Sequence, residues 1–159
     1  MTTMTWTSRD SYFEDFSPGQ RMRHMRGKTV GEIEVVLLAH LSMNSAQGHF
    51  NDHAMSASKF GKRVAFGGVT ASIVVGLASQ DTTENALAEL TVNSLRLKVP
   101  VVEGDTLYCV TEVVSCEAAP DRADAGIITF RHYGINHREE LVCEIERSAL
   151  IARRPGAPS

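Results

Sequence analysis

The chain is short of cysteine: Cys109, Cys116 and Cys143 are the only three in 159 residues. Their number is odd and no two have CxxC spacing, so neither a disulfide framework nor a zinc ribbon is expected. A reducing compartment, the cytoplasm, is the expected setting. No run approaches the roughly 20 apolar residues that a membrane-spanning helix needs. The longest, residues 69–79, is interrupted by Thr70, Ser72 and Gly76. The first residues, MTTMTWTSR, carry no apolar stretch of the kind a secretion signal requires, and none is expected to act as one. Positive charge is not in excess, with 16 Lys and Arg against 19 Asp and Glu and a formal net charge of −3. Such a balance argues against a nucleic-acid partner, whose phosphates call for a basic surface. What is present, 43% hydrophobic and 22% charged residues, suits one globular domain. That domain is expected over residues 11–153, with flexible ends at 1–10 and 154–159.

The two halves differ in period. In the first half, Ser17-Pro18-Gly19-Gln20 marks a turn, and residues 21–28 read as a poorly alternating strand with a solvated Arg and Met edge. Thr29 and Glu32 have capping-box spacing. Ile33, Val36, Leu37 and Leu41 then recur at helical intervals, which predicts a helix over 30–43. A polar loop follows, then a short helix within 49–60 that Gly61 ends. Residues 69–79 are apolar on nearly every side, the pattern of a central helix. In the second half, Leu95, Leu97 and Val99 alternate with charged residues as a half-buried strand, with a bulge near Ser94 because Val92 is out of phase. Strands over 106–115 and 126–135 and a last one from Leu141 complete an antiparallel set. The fold class is therefore α+β, with the sheet wrapped around the apolar helix.

Polar residues are densest between the first two helices, at Asn44, Ser45, Gln47, His49, Asn51, Asp52 and His53. Imidazole suits general acid–base work because its ordinary pKa lies near neutral pH. An asparagine amide can orient a water or hold a substrate oxygen. Gly67 and Gly68 open the apolar helix, where unpaired backbone N–H groups are able to bind a developing oxyanion. Each feature has a plainer reading: a packed histidine, a glycine loop, small core cysteines. His49 and His53 are spaced for one helical face, but no third ligand accompanies them, so no metal is expected.

The order of these signals resembles the MaoC-like hydratases and dehydratases of the hot-dog fold. The matching stretches are YFEDFSPG at 12–19, GKTV at 27–30, MNSAQGHFN at 43–51, FGKR at 60–63, Gly67-Gly68, PVVEGDTL at 100–107 and Arg153-Arg154-Pro155. The branch most resembled contains itaconyl-, mesaconyl- and methylmalyl-CoA hydratases. The resemblance implies a central helix wrapped by a curved antiparallel sheet, pairing into a homodimer or higher homo-oligomer, and no cofactor. It implies reversible addition of water across the α,β double bond of an enoyl thioester carried by coenzyme A or an acyl carrier protein. Arg21, Arg23, Arg26 and Lys28 would form the basic rim that an acidic carrier would meet. His49 and Asn44 fall on the catalytic positions, Gly67 and Gly68 on the thioester-binding helix start, and Gln47, Asn51 and Phe66 on the substrate pocket. Asn44 replaces the usual Asp, Gln47 the usual Pro and Asn51 the usual Asp. An amide cannot take the proton a carboxylate takes. The proton transfers would then fall to His49, with Asn44 aligning the water. Two alternatives follow from these departures: hydrolysis of the thioester or amine addition at the same site, and a non-catalytic subunit of a heteromer.

Overall fold

The computed structural model describes residues 4–6 and 11–156. Its strands are β1 (Met4–Trp6), β2 (Arg21–Arg23), β3 (Lys28–Thr29), β4 (Ala86–Leu97), β5 (Thr106–Ala118), β6 (Ala125–Asn136) and β7 (Leu141–Ala152). They form one sheet in the order β1-β2-β5-β6-β7-β4, with β3 also paired to β5. Only β1 and β2 are parallel; the other pairings are antiparallel. The N-terminal segment expected to fray thus contributes a strand at 4–6. Residues 1–3, 7–10 and 157–159 lie outside the described residues. Arg153 and Arg154 are anchored: they pair with Glu14 (3.1 Å) and Asp15 (2.6 Å) and lie over the rings of Phe13 and Tyr12.

The long helix α3 (Gly67–Thr82) lies against β5, β6 and β7. Val69, Thr70, Val74, Ala78 and Thr82 are buried, whereas Ser72 and Gly76 are exposed and Ile73, Val75 and Leu77 half-buried. The sheet packs on the side of the helix that carries these buried residues, the hot-dog arrangement expected, and Ser72 and Gly76 face away from it. Close approach requires Gly134 on β6, where a Cβ would meet Val74 at 2.5 Å and the Cys143 sulfur at 2.9 Å. After β4 the chain crosses over, so β4 sits at the far edge beside β7 and away from β5. Its register shifts between Val92 and Ser94, where the bulge is expected, and also nearer its start. Leu95 and Leu97, expected to be half-buried, are 44% and 54% exposed: among the described residues the edge strand is only partly covered, Leu97 by the start of α3.

The first helix departs from expectation. Thr29 belongs to β3 and bonds Thr106 (2.8 Å), so it is not a helix cap; Glu34 instead accepts from the Gly31 N–H (2.8 Å). A π-helical turn over Ile33–Leu37 leads into α1 (Leu38–Leu41). Its i→i+5 bonding uses one residue more per turn, and the 3.6-residue stripe slips. Val35 and Ala39 are buried in place of Ile33, Leu37 and Leu41, which are 65%, 47% and 70% exposed.

The inner sheet face holds two apolar cores. Val30, Val35, Val74, Ala78, Leu107, Cys109, Val142, Cys143 and Ile145 belong to one, and Phe16, Met22, Val113, Ile128, Phe130, Ala149 and Ile151 to the other. Burial pushes the Cys109 thiol up to about 12. Between the cores runs a polar row. Arg147 Nε–H donates to His132 Nε2 (2.9 Å), and His132 Nδ1–H to Thr111 Oγ1 (2.8 Å). The Thr111 hydroxyl donates to His24 Nε2 (2.7 Å), and His24 Nδ1–H to Asp81 (2.7 Å). The guanidinium of Arg147 also meets Glu89. His24 and Met22 are buried in the stretch expected as a solvated edge, while Met25 is 65% exposed. No helix among the described residues is long and apolar enough to cross a membrane, which says nothing of β-barrels.

Candidate active site

Asn44 stands at the end of the first helix because the chain reverses there in a Schellman motif. Met43 N–H donates to His40 O (2.8 Å) and Asn44 N–H to Ala39 O (2.9 Å). The residue in the left-handed region is Met43, at φ 57°, where glycine is the usual occupant. The Asn44 side-chain oxygen then accepts from the Ala46 N–H (3.0 Å), turning the loop. That oxygen is committed to the loop, and the amide NH2 has no partner among the described residues.

His49 closes a 3-10 turn over Gln47–His49. Its Nδ1 lies 2.7 Å from the Val64 carbonyl. A carbonyl only accepts, so Nδ1 carries a proton, and in the neutral imidazole the lone pair is then on Nε2. Val64 is fixed from both sides, its N–H on Gly48 O (3.0 Å) and its bridge to Val102. The short helix α2 (Asp52–Ser56) begins at once: Asn51 accepts from Ala54 N–H (3.0 Å) as its N-cap. The expected helix within 49–60 is thus confined to five residues. Asn51 also donates to Gln47 (2.5 Å), so these two residues hold each other.

The ring of Phe66 sits 5.8 Å from that of His49. Phe66 is the residue before α3, whose first turn has no side-chain cap. The amides of Gly67, Gly68 and Val69 therefore remain available as donors, as the first amides of a helix do. Glycine at 68 lets the Phe66 ring lie against the helix start, since a Cβ there would fall 2.8 Å from that ring and displace it. An apolar cavity of about 460 Å³ lies beside this helix start, lined by Leu38, Leu41, Phe66, Gly68 and Val69 with Ser42 and Ser72. A second, of about 160 Å³, lies on the Gly67 side against Phe60, Leu97 and Pro100. Phe66 lines the larger cavity; Gln47 and Asn51 line neither.

The structure thus joins His49 to Phe66 and the start of α3, and binds Gln47 to Asn51. Asn44 lies five residues before His49 on the same loop. His53 is exposed on α2. Among the described residues no three His, Cys, Asp or Glu side chains group to hold a metal ion. Sequence reasoning missed the Val64 carbonyl and Arg63 beside it. Arg63 meets Asp52 (2.8 Å), Glu32 (3.4 Å) and Glu103 (3.7 Å). The only signal was the stretch FGKR, which carried no assigned role.

A six-stranded path of sheet packed on one long helix, with an imidazole beside that helix's open start, defines a hot-dog protein of the MaoC-like type. The family description "Mesaconyl-CoA hydratase" matches residues 11–153, and the chain belongs to that family. It is 34% identical over 119 residues to a "Beta-methylmalyl-CoA dehydratase" of Chloroflexus aurantiacus, covering 75% of this chain and 34% of that protein. It is 31% identical over 121 residues to an "(R)-specific enoyl-CoA hydratase" of Rhodospirillum rubrum, covering 76% of this chain and 78% of that protein. A solved Mycobacterium tuberculosis structure described as a double hotdog fold superposes with TM-score 0.80 at 26% identity, over 94% of this chain and 46% of that one. The chain spans 34%, 42% and 36% of the length of three curated relatives it matches.

Proposed function

We propose that this protein adds water reversibly across the α,β double bond of an enoyl thioester. The observation that carries the reading is His49, whose Nδ1–H is committed to Val64 and whose ring lies 5.8 Å from that of Phe66, the residue before the open amides of α3. In this scheme the amide of Gly68, with that of Gly67, polarises the thioester carbonyl and makes the β-carbon electrophilic. His49 Nε2 takes a proton from water as its oxygen attacks that carbon, and returns it at the α-carbon. The Asn44 NH2 holds the water. The printed names of the relatives, hydratases and dehydratases of CoA thioesters, support the reaction class. The apolar cavity beside Gly68 supports an acyl ligand, and coenzyme A is the carrier those names favour. The free thiols suit a cytoplasmic setting.

The assembly belongs to the same proposal. The β4 face exposes Leu87, Leu90, Val92, Leu95 and Leu97 at 44–68%, and an edge strand with such a face calls for cover. A double hotdog of about twice this length supports a second hot-dog unit as that cover, and a second copy of this chain supplies one.

The test is mass spectrometry of products after incubation with enoyl-CoA and enoyl-carrier thioesters, with and without free amino acids. Gain of one water, lost in His49→Ala, is the expected result. Free acid or an amine adduct would replace hydration with hydrolysis or amine addition. Thioester binding with no turnover would favour the non-catalytic subunit.

A further inference from the structure

We infer that Arg63 is a positioning residue for His49, an inference that rests on the reading of His49 as the acid–base group. The imidazole has one hydrogen bond among the described residues, to the Val64 carbonyl at 2.7 Å. That single contact fixes its tautomer and hence which nitrogen is a base. The carbonyl is therefore only as well placed as residues 63–65.

Arg63 holds this segment by its side chain. The side chain is only 13% exposed, and its guanidinium faces three carboxylates from three separate parts of the chain. Its Nε meets Asp52 at 2.8 Å, on α2, three residues after His49. Both terminal nitrogens meet Glu32 at 3.4 Å, at the start of the helix that ends in Asn44. One lies 3.7 Å from Glu103, next to Val102, the bridge partner of Val64. Lys62 adds a bond to the Glu103 carbonyl at 3.0 Å. One planar fork thus ties the elements before, after and behind the imidazole to the residue beside its carbonyl. A lysine is a point charge and cannot span that set. Without a cation at 63 the three carboxylates repel one another, and the loop that carries His49 is free to separate from Val64.

The experiment reads the His49 ring directly by long-range proton–nitrogen NMR on wild type, Arg63→Lys and Arg63→Met. Wild type is expected in one tautomer, protonated at Nδ1. Arg63→Met is expected to give a mixture, with Arg63→Lys between the two. Hydration should fall in the same order, with kcat lowered about 10- to 100-fold in Arg63→Met and KM little changed. Ile128→Val, in the second core, lowers stability without touching this region and should leave the tautomer alone. A single Nδ1–H tautomer in Arg63→Met, with only the melting temperature lowered, would overturn the inference. Should Arg63→Met not fold, Asp52→Asn removes the nearest arm and is read the same way. The two readings fail separately. A tautomer that depends on Arg63 in a protein with no hydratase activity would sink the reaction and keep the positioning role. Hydration with a tautomer indifferent to Arg63 would do the reverse.

Discussion

Asn44 and His49 stand out as candidates because residue type alone restricts the choice: few side chains move protons near neutral pH, and few amides sit in so polar a loop. What holds the His49 ring was not legible. The partner that fixes its tautomer is a backbone carbonyl at residue 64, and a carbonyl leaves no mark on the sequence. Met43 is similar. The left-handed turn before Asn44 usually announces itself by glycine, and here a methionine takes it at φ 57°. A β-carbon in that region costs on the order of 1 kcal/mol. Met43→Gly is therefore expected to raise stability by about 0.5–1 kcal/mol, read as a higher urea midpoint with an unchanged slope.

At the scale of elements, strand periodicity transferred well. Bounds expected at 106–115 and 126–135 are found as Thr106–Ala118 and Ala125–Asn136, because half-buried strands alternate with the simple period of two. The first helix transferred badly because a π turn adds a residue where the sequence pattern assumes 3.6. The polar row between the two cores was invisible, since Thr111, His132 and Arg147 come from three strands and meet only through pairing. Thr111 bonds His24 on one side and His132 on the other, so Thr111→Val orphans a buried ring nitrogen on each side. A loss of about 2 kcal/mol is expected, measured by denaturant unfolding. The row also sets an acid response. Burial lowers the His24 pKa against the opposing pull of Asp81; burial, then the charges of Arg147 and His24, lower that of His132 well below its ordinary value. Unfolded, both titrate near pH 6.5. Below that value the unfolded chain binds protons that the folded chain refuses, so stability falls with acidification. Thermal unfolding should show full stability above about pH 6.5 and a decline below it.

For the whole molecule, the antiparallel sheet packed on a central helix followed from pattern, and what covers the outer side of that helix did not. An all-round apolar helix implies that something surrounds it, yet one chain covers one side and leaves β4 open at the edge. The missing cover is the proposed second copy. Val92→Lys, at a position 68% exposed, should leave the monomer folded and halve the mass seen by light scattering; an unchanged mass would place the interface elsewhere. The account as a whole stands on His49 moving the proton in water addition. Its most direct test is the rate at which the enoyl thioester absorbance disappears in wild type and in His49→Ala. A half-buried ring on a loop contributes little to either core, so the variant should melt as wild type does. General acid–base catalysis contributes about 100- to 10,000-fold. The prediction is a kcat at least about 100-fold lower in the folded variant; undiminished hydration by His49→Ala would contradict it.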